Sequence, residues 1–245
     1  MISSCGGFLK RELIVAIDGP SGAGKSTLSK SLAKELGYHN IDTGAMYRSV
    51  ALAAKRQGID PADEAALGRL AESVRIEFIR QDEGERVLLN GEDVSSAIRT
   101  PDISLLTSRI SAYAGVRHAM VALQRQLGDQ GGVVLEGRDI GTVVFPQADV
   151  KFFLSASTTE RGRRRYEELR AKGLAVELER TVAEVEARDA ADCARECAPL
   201  VQAEDALAID STALSIDEVL RSMLVRVRLC RKQAGLTDNV MGDGR

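Results

Sequence analysis

Leu13–Ile17 is a run of five apolar residues ending on Asp18, the length and character of a strand buried on both faces. Behind it, Leu28, Leu32 and Leu36 recur every four residues up to Gly37, which predicts a helix over about 24–36 stopped by a glycine cap. A short strand is expected over Tyr38–Asp42, then a helix over about Gly44–Gln57 closed by Gly58. Gly132–Glu136, Val150–Leu154 and Ala206–Ile209 are further short apolar runs between polar or glycine residues. Five fully buried strands alternating with helices predict an α/β protein, a five-stranded parallel sheet with helices on both faces. Ser157 with Glu160, Thr181 with Glu184 and Ser215 with Glu218 have capping-box spacing, which places helices at about 158–172, 181–193 and 215–232. Pro61 after Asp60 and Pro101 after Thr100 read as prolines in the first turn of a helix.

One stretch departs from this rhythm. From Val74 to Val94 apolar residues alternate with polar ones, Val74, Ile76 and Phe78 against Arg75, Glu77 and Arg80. Turn signals follow at Glu83-Gly84 and Asn90-Gly91. This predicts a small antiparallel meander inserted into a parallel-sheet protein. Asp60–Ile98 holds ten acidic and four basic residues, so the insert is more acidic than the chain as a whole.

Composition narrows the function classes. The 245 residues carry a net charge of −3, with no tryptophan and 4% aromatics, which argues against a basic nucleic-acid coat and against stacking platforms for single strands. No apolar run approaches the roughly 18 residues of a membrane span, and the run behind Lys10-Arg11 is too short for a signal peptide. A cytoplasmic protein with reduced thiols is expected. Cys5, Cys193, Cys197 and Cys230 are scattered, and with only His39 and His118 beside them no zinc site is expected.

The chemistry concentrates in Gly19-Pro20-Ser21-Gly22-Ala23-Gly24-Lys25-Ser26-Thr27, which satisfies G-x-x-x-x-G-K-[ST] directly after a predicted strand and at the start of a helix. Glycines let successive amides curl round phosphate oxygens, and the helix N-terminus adds partial positive charge. Lys25 would reach the β- and γ-phosphates, and Ser26 would offer its hydroxyl to Mg²⁺. The loop predicts a nucleoside triphosphate and leaves the acceptor open. A phosphorylated acceptor would need several guanidinium groups from different segments. Arg48, Arg117 and Arg138 each read singly as surface arginines, but Arg48 and Arg138 follow strands on the side where open α/β sheets bind ligands. In Arg161-Gly162-Arg163-Arg164-Arg165, Arg163 reads as a solvated face, while Arg161 with Arg164 or Arg165 could close over a triphosphate from a mobile flap.

Four blocks carry a family resemblance: Ile17-Asp18-Gly19-Pro20-Ser21-Gly22-Ala23-Gly24-Lys25, Asp42-Thr43-Gly44-Ala45-Met46-Tyr47-Arg48, Gly137-Arg138-Asp139-Ile140-Gly141-Thr142-Val143-Val144-Phe145-Pro146, and Ala198-Pro199-Leu200. With these the chain resembles the bacterial cytidylate (CMP) kinases, in the nucleoside monophosphate kinase group of P-loop proteins, from about Leu13 to Lys232. The resemblance implies an N-terminal extension (1–12) and one P-loop kinase unit (13–245). Within that unit it implies a core (about 13–60, 113–156 and 174–236), a monophosphate-binding lobe (about 61–112) that includes the meander, and a short lid (about 157–173). By resemblance, Ser108, Arg117 and Asp139 face the cytosine, and Arg188 and Asp192 hold the sugar hydroxyls. Thr43, Arg48, Arg138 and Arg195 surround the CMP phosphate, and Arg161 and Arg164 belong to the lid. Ser26 stands where other members have glycine, and Thr43 where serine is common; both changes keep or add a hydroxyl.

The chemistry of the base agrees with that assignment. An ionised Asp139 accepts from cytosine N4–H and Arg117 donates to N3 or O2, whereas uracil presents the opposite pattern and leaves polar groups unpaired. The expected activity is therefore transfer of the γ-phosphoryl of MgATP to CMP and dCMP, with Lys25, Arg138, Arg161 and Arg164 stabilising charge and Glu136 a candidate to orient metal-bound water. A monomer acting on small molecules is expected. Two alternatives stay open, a P-loop kinase for another small acceptor and a non-catalytic nucleotide-binding module.

Overall fold

The computed structural model describes residues 11–81 and 84–236. Strand β1 (Ile14–Asp18) is buried along its whole length: Ile14 and Ala16 belong to an apolar core on one face of the sheet, Val15 and Ile17 to a core on the other. An apolar run with no polar alternation has to lie at the centre of a sheet covered on both sides, and β1 does. The sheet order is β2 (His39–Asp42), β6 (Val133–Gly137), β1, β7 (Val150–Ser155), β8 (Leu207–Asp210), all parallel. β8 departs from expectation. It is an edge strand in which only Ile209 is buried, because no further strand covers its outer side.

Helix α1 (Lys25–Leu36) buries Leu28 and Leu32 against the β1 face that carries Val15 and Ile17, together with α8 (Ile216–Gln233). Gly37, at φ +70°, ends α1. Opposite lie α2 (Thr43–Arg56), α3 (Glu64–Ser73), α4 (Pro101–Ile110) and α5 (Ala114–Gly128), which share one core with the sheet. The expected meander is present as β3 (Ile76–Gln81), β4 (Gly84–Leu89) and β5 (Glu92–Asp93). Its Ile76, Val87 and Leu89 join that same core, so the acidic insert has no separate interior. The β4–β5 turn is Asn90-Gly91 with both φ angles positive, as the strand twist of a two-residue hairpin loop requires. Glu83 of the preceding turn, residues 1–10 of the N-terminal extension with Cys5, and the tail 237–245 lie outside the described residues.

The helix starts correct three expectations. Ser215 and Glu218 form a reciprocal capping box. Ser157 accepts from the Glu160 amide of α6 (Thr158–Ala171), but the Glu160 carboxylate goes to Arg163 and Arg164 and does not return to the cap. Helix α7 (Leu178–Cys193) begins three residues before Thr181, whose hydroxyl donates to the Glu177 carbonyl from inside the first turn. Pro61 lies in a turn ahead of α3, whose cap is Asp63, accepting from the Ala66 amide; Pro101 is at the first position of α4, as expected. Among the described residues no helix is long and apolar enough to cross a membrane.

The register brings Asp18 opposite Gly137 and Asp42 opposite Glu136, so the carboxyl ends of the three neighbouring strands β1, β6 and β2 finish nearly level. The loops that leave them meet α6 and α7 across a cleft. Those two helices pack closely at Gly162, where an added Cβ would lie 2.4 Å from Val182 Cγ2 and 2.8 Å from Val182 Cα. Gly162→Val is therefore expected to cost about 1–3 kcal/mol, although a side chain in place of a helical glycine ordinarily helps, and urea unfolding measures the loss.

Candidate functional site

The phosphate loop joins β1 to α1 through Gly19, whose φ of +147° and close approach to the Leu154 carbonyl admit no side chain. Gly24, at φ +92°, takes the N-cap position of α1 and supplies no side-chain cap, so the first-turn amides of α1 face the cleft without an internal acceptor. Lys25 Nζ donates to the carbonyls of Gly19 (2.7 Å) and Pro20 (2.6 Å), folded back over its own loop. Burial, with Arg138 next, pushes its pKa well below the ordinary lysine range. Ser26 Oγ donates to Glu136 Oε2 at 2.8 Å, and Ser29 Oγ approaches the other oxygen at 3.4 Å. Burial pushes the Glu136 carboxyl up to about 7, and Asp42 adds to the effect.

Beside the loop opens a cavity of about 790 Å³, lined by eleven lysines and arginines against five carboxylates. In a chain of net charge −3 that concentration marks a polyanion site. The arginines come from several elements. Arg48, on α2, pairs with Asp42 at 3.0 Å; Asp42 also caps α2 through the Ala45 amide. Burial drives the Asp42 carboxyl up, but Arg48 and that amide hold it below the usual carboxylate range. Arg138 Nε donates to Asp192 Oδ2 at 2.7 Å, and Arg195 pairs with the other Asp192 oxygen and reaches Ser111 Oγ at 3.3 Å. Arg188 is pulled down to about 10 by burial, with the Arg138 charge adding to it. Among the described residues, the buried Nε atoms of Arg48, Arg117 and Arg188 have no hydrogen-bond partner, which leaves donors for a ligand.

Deeper in the cleft, Arg117 and Asp139 form a buried ion pair. Arg117 Nη1 also donates to the Ser111 carbonyl at 3.2 Å, and its guanidinium lies 5.7 Å from the centre of the Tyr47 ring. Thr43 Oγ1 donates to the Glu136 carbonyl at 2.6 Å, which ties the start of α2 to the end of β6.

Most of the expected site residues line this one cavity: Ser21, Gly22, Gly24, Lys25, Ser26 and Thr27 of the loop, and Thr43, Arg48, Arg117, Arg138, Asp139, Arg164, Arg188, Asp192 and Arg195. Five do not. Ser108 is half-buried but off the cavity wall, whereas Ser104, Thr107 and Ser111, spaced as one helix face, line it. Gly19, Pro20 and Ala23 stand behind the wall, where Gly19 and Pro20 receive Lys25 and the Ala23 carbonyl accepts from Ser211. Arg161 is not a free lid arginine. It is buried, paired with Asp189, and donates to the carbonyls of Ser21 (3.1 Å) and Ala156 (2.9 Å), clamping the phosphate loop to α6 and α7. Arg164 does line the cavity, anchored on Glu160 and Ser211, and Arg163 is solvated, between Glu160 and Glu167.

Sequence analysis assigned no role to Asp42, Tyr47, Ser111, Arg99 or Lys30, all on the wall. Asp42 and Tyr47 lay inside a motif already singled out; Ser111, Arg99 and Lys30 carry no local signal, since only the packing of their helices turns them inward.

The sequence profile of the cytidylate kinase family matches residues 15–229. The chain is 65% identical over 216 residues to a cytidylate kinase of Syntrophotalea carbinolica, covering 88% of this chain and 92% of that protein. It is 62% identical over 219 residues to one of Geobacter sulfurreducens, covering 89% and 94%, and 48% identical over 219 residues to one of Bacillus subtilis, covering 89% and 98%. With a phosphate loop, an arginine cage and a buried Arg-Asp pair gathered in one cleft, and a profile match over nearly the whole described chain, this protein belongs to the cytidylate kinase family.

Proposed function

We propose that the protein transfers the γ-phosphoryl group of MgATP to CMP and dCMP, giving ADP and CDP or dCDP. The observation that carries this reading is the shared cavity: the phosphate loop with Lys25, the guanidinium groups of Arg48, Arg138, Arg188 and Arg195, and the Arg117–Asp139 pair all line it. The loop suits a triphosphate donor, the arginines a second phosphate, and the buried pair the polar edge of a base.

Lys25 starts from two carbonyls of its own loop. An arriving triphosphate offers it anionic oxygens in their place, and the same charge favours the protonated ammonium that burial disfavours. Thr43, Arg48, Arg138 and Arg195 hold the acceptor phosphate in line, and Arg164 adds charge from α6 on the donor side. Ser26 hydroxyl and Glu136 carboxylate are hard oxygen donors 2.8 Å apart at the loop, a set that fits Mg²⁺. These two residues would hold the ion or its waters, and the ion would neutralise charge on the triphosphate. Asp139 accepts from cytosine N4–H, and Arg117 both orients Asp139 and donates to N3 or O2. Arg188 and Asp192 are assigned to the sugar hydroxyls. In this reading 61–112 is the monophosphate-binding lobe, 157–173 the lid, and the enzyme a cytoplasmic monomer.

A coupled ADP-release assay over CMP, dCMP, UMP, AMP and shikimate tests the reading. CMP and dCMP are expected to turn over, and UMP to fall about tenfold to a hundredfold in kcat/KM because each mismatched buried group loses its partner; turnover preferring UMP or AMP would refute it. Asp139→Asn is expected to lower kcat/KM for CMP by about tenfold to a hundredfold while ATP affinity holds, and unchanged CMP kinetics would remove Asp139 from the base site. Lys25→Ala is expected to abolish turnover with CMP affinity largely kept, since the lysine serves the transferring phosphates. Calorimetric titration with CMP alongside single-turnover kinetics separates the two effects.

A further inference from the structure

Asp18 ends β1 and immediately precedes the phosphate loop, yet its side chain serves another segment. Oδ1 accepts from the Ile140 amide at 2.8 Å and Oδ2 from the Gly141 amide at 2.7 Å. These are the first two amides of a short π-helical turn, Ile140–Val144, whose own N-cap residue is Asp139. Asp139 makes no side-chain cap bond. The cap is supplied from β1, and that leaves the Asp139 carboxylate to Arg117 and the cleft.

The linkage is short and stiff at both ends. Gly19 follows Asp18 in the chain and packs on the Leu154 carbonyl, so the start of the loop has little room to move independently. Gly141 admits no side chain without crowding: an added Cβ would lie 3.0 Å from Lys151 Cδ and 3.4 Å from Asp18 Oδ2. Lys151 is in turn fixed by the Pro146 carbonyl (2.7 Å) and Asp205 (2.8 Å). Burial pushes the Asp18 carboxyl up to about 6, against the two amides that favour its ionised form, so this anion depends on those two bonds. In the function proposed above, a bound triphosphate would draw Lys25 from the Gly19 and Pro20 carbonyls, and the peptide so released adjoins Asp18.

We propose that Asp18 is a positioning residue that couples the phosphate loop to Asp139, so that occupancy of the donor site sets the geometry in which the acceptor base is read. This rests on the function proposed above. Asparagine at 18 can accept with one oxygen only and turns an NH₂ towards the second amide, so Asp18→Asn breaks the coupling with little change in volume. Gly141→Ala disturbs the same contact from the other side.

The test is calorimetric titration of CMP into free enzyme and into enzyme saturated with Mg²⁺ and a β,γ-imido analogue of ATP. In the wild type the analogue is expected to change CMP affinity by at least about fivefold, within the usual range for coupled sites. In Asp18→Asn the ratio is expected to fall to within about twofold of unity, and Gly141→Ala to move in the same direction. In the wild type without CMP, the amide NMR signals of Ile140 and Gly141 are expected to shift on binding the analogue. This measurement stands even where a variant fails to fold. A wild type without coupling, a coupling ratio unchanged in Asp18→Asn, or Ile140 and Gly141 signals that ignore the analogue would each overturn the proposal. Wild-type enzyme that binds no CMP would instead overturn the proposed function.

Discussion

Like charges crowded in one cavity repel, and the structure of this protein around its cleft is organised by how that repulsion is contained. Eleven cationic side chains line a space of about 790 Å³. Four of them are held by carboxylates that arrive from different elements: Asp42 from the end of β2 on Arg48, Asp192 from α7 on Arg138 and Arg195, Asp139 from the turn after β6 on Arg117. Containment is incomplete. Arg188 and Lys25 are pulled below their ordinary ranges, first by burial and then by Arg138, and the buried Nε donors of three arginines stay unpaired among the described residues. A phosphate group would relieve both deficits at once, which suits the cleft to nucleotide anions.

That arrangement depends on the sheet. Parallel strands finish level at their carboxyl ends, so the β1–α1 loop, the β2–α2 junction and the turn after β6 open towards the same space. Hydrogen bonds then lock the junctions to one another: Thr43 to the Glu136 carbonyl, Asp18 to the Ile140 and Gly141 amides, Ser26 to Glu136. Arg161 extends the same logic to α6 and α7, since it clamps the loop through Ser21 and pairs with Asp189. A guanidinium that would repel its neighbours in the cavity is more useful behind the loop, where the Ala156 and Ser21 carbonyls, the Asp189 carboxylate and the Thr158 hydroxyl accept from it.

Local pattern carried much of this architecture. Leu13–Ile17 could only be a central strand, the Leu28, Leu32 and Leu36 stripe could only be one side of a helix, and the phosphate-loop motif is both a sequence and a backbone conformation. Where the expectations failed, the deciding contact came from elsewhere in the chain. Thr181 has the spacing of a cap, but packing of α7 on α6 at Gly162 and Val182 extends the helix beyond it. The family resemblance implies Ser108 at the base, but the roll of α4 turns Ser104, Thr107 and Ser111 to the cavity. Arg161 and Arg164 look alike in sequence, and only one of them lines the cleft.

The amino-acid sequence by itself determined which chemistry is available: a phosphate-loop motif between a strand and a helix, a supply of arginines after the strand ends, and a carboxylate at Asp139 suited to an amino edge. Each of these is a property of residue type and short spacing, legible wherever a motif is local. Only the tertiary structure decided which arginines share a cavity, which carboxylates restrain them, and that Asp18 caps a turn more than a hundred residues away. Those are facts about distances between segments remote in sequence, set by sheet register and helix packing, and no local pattern encodes them.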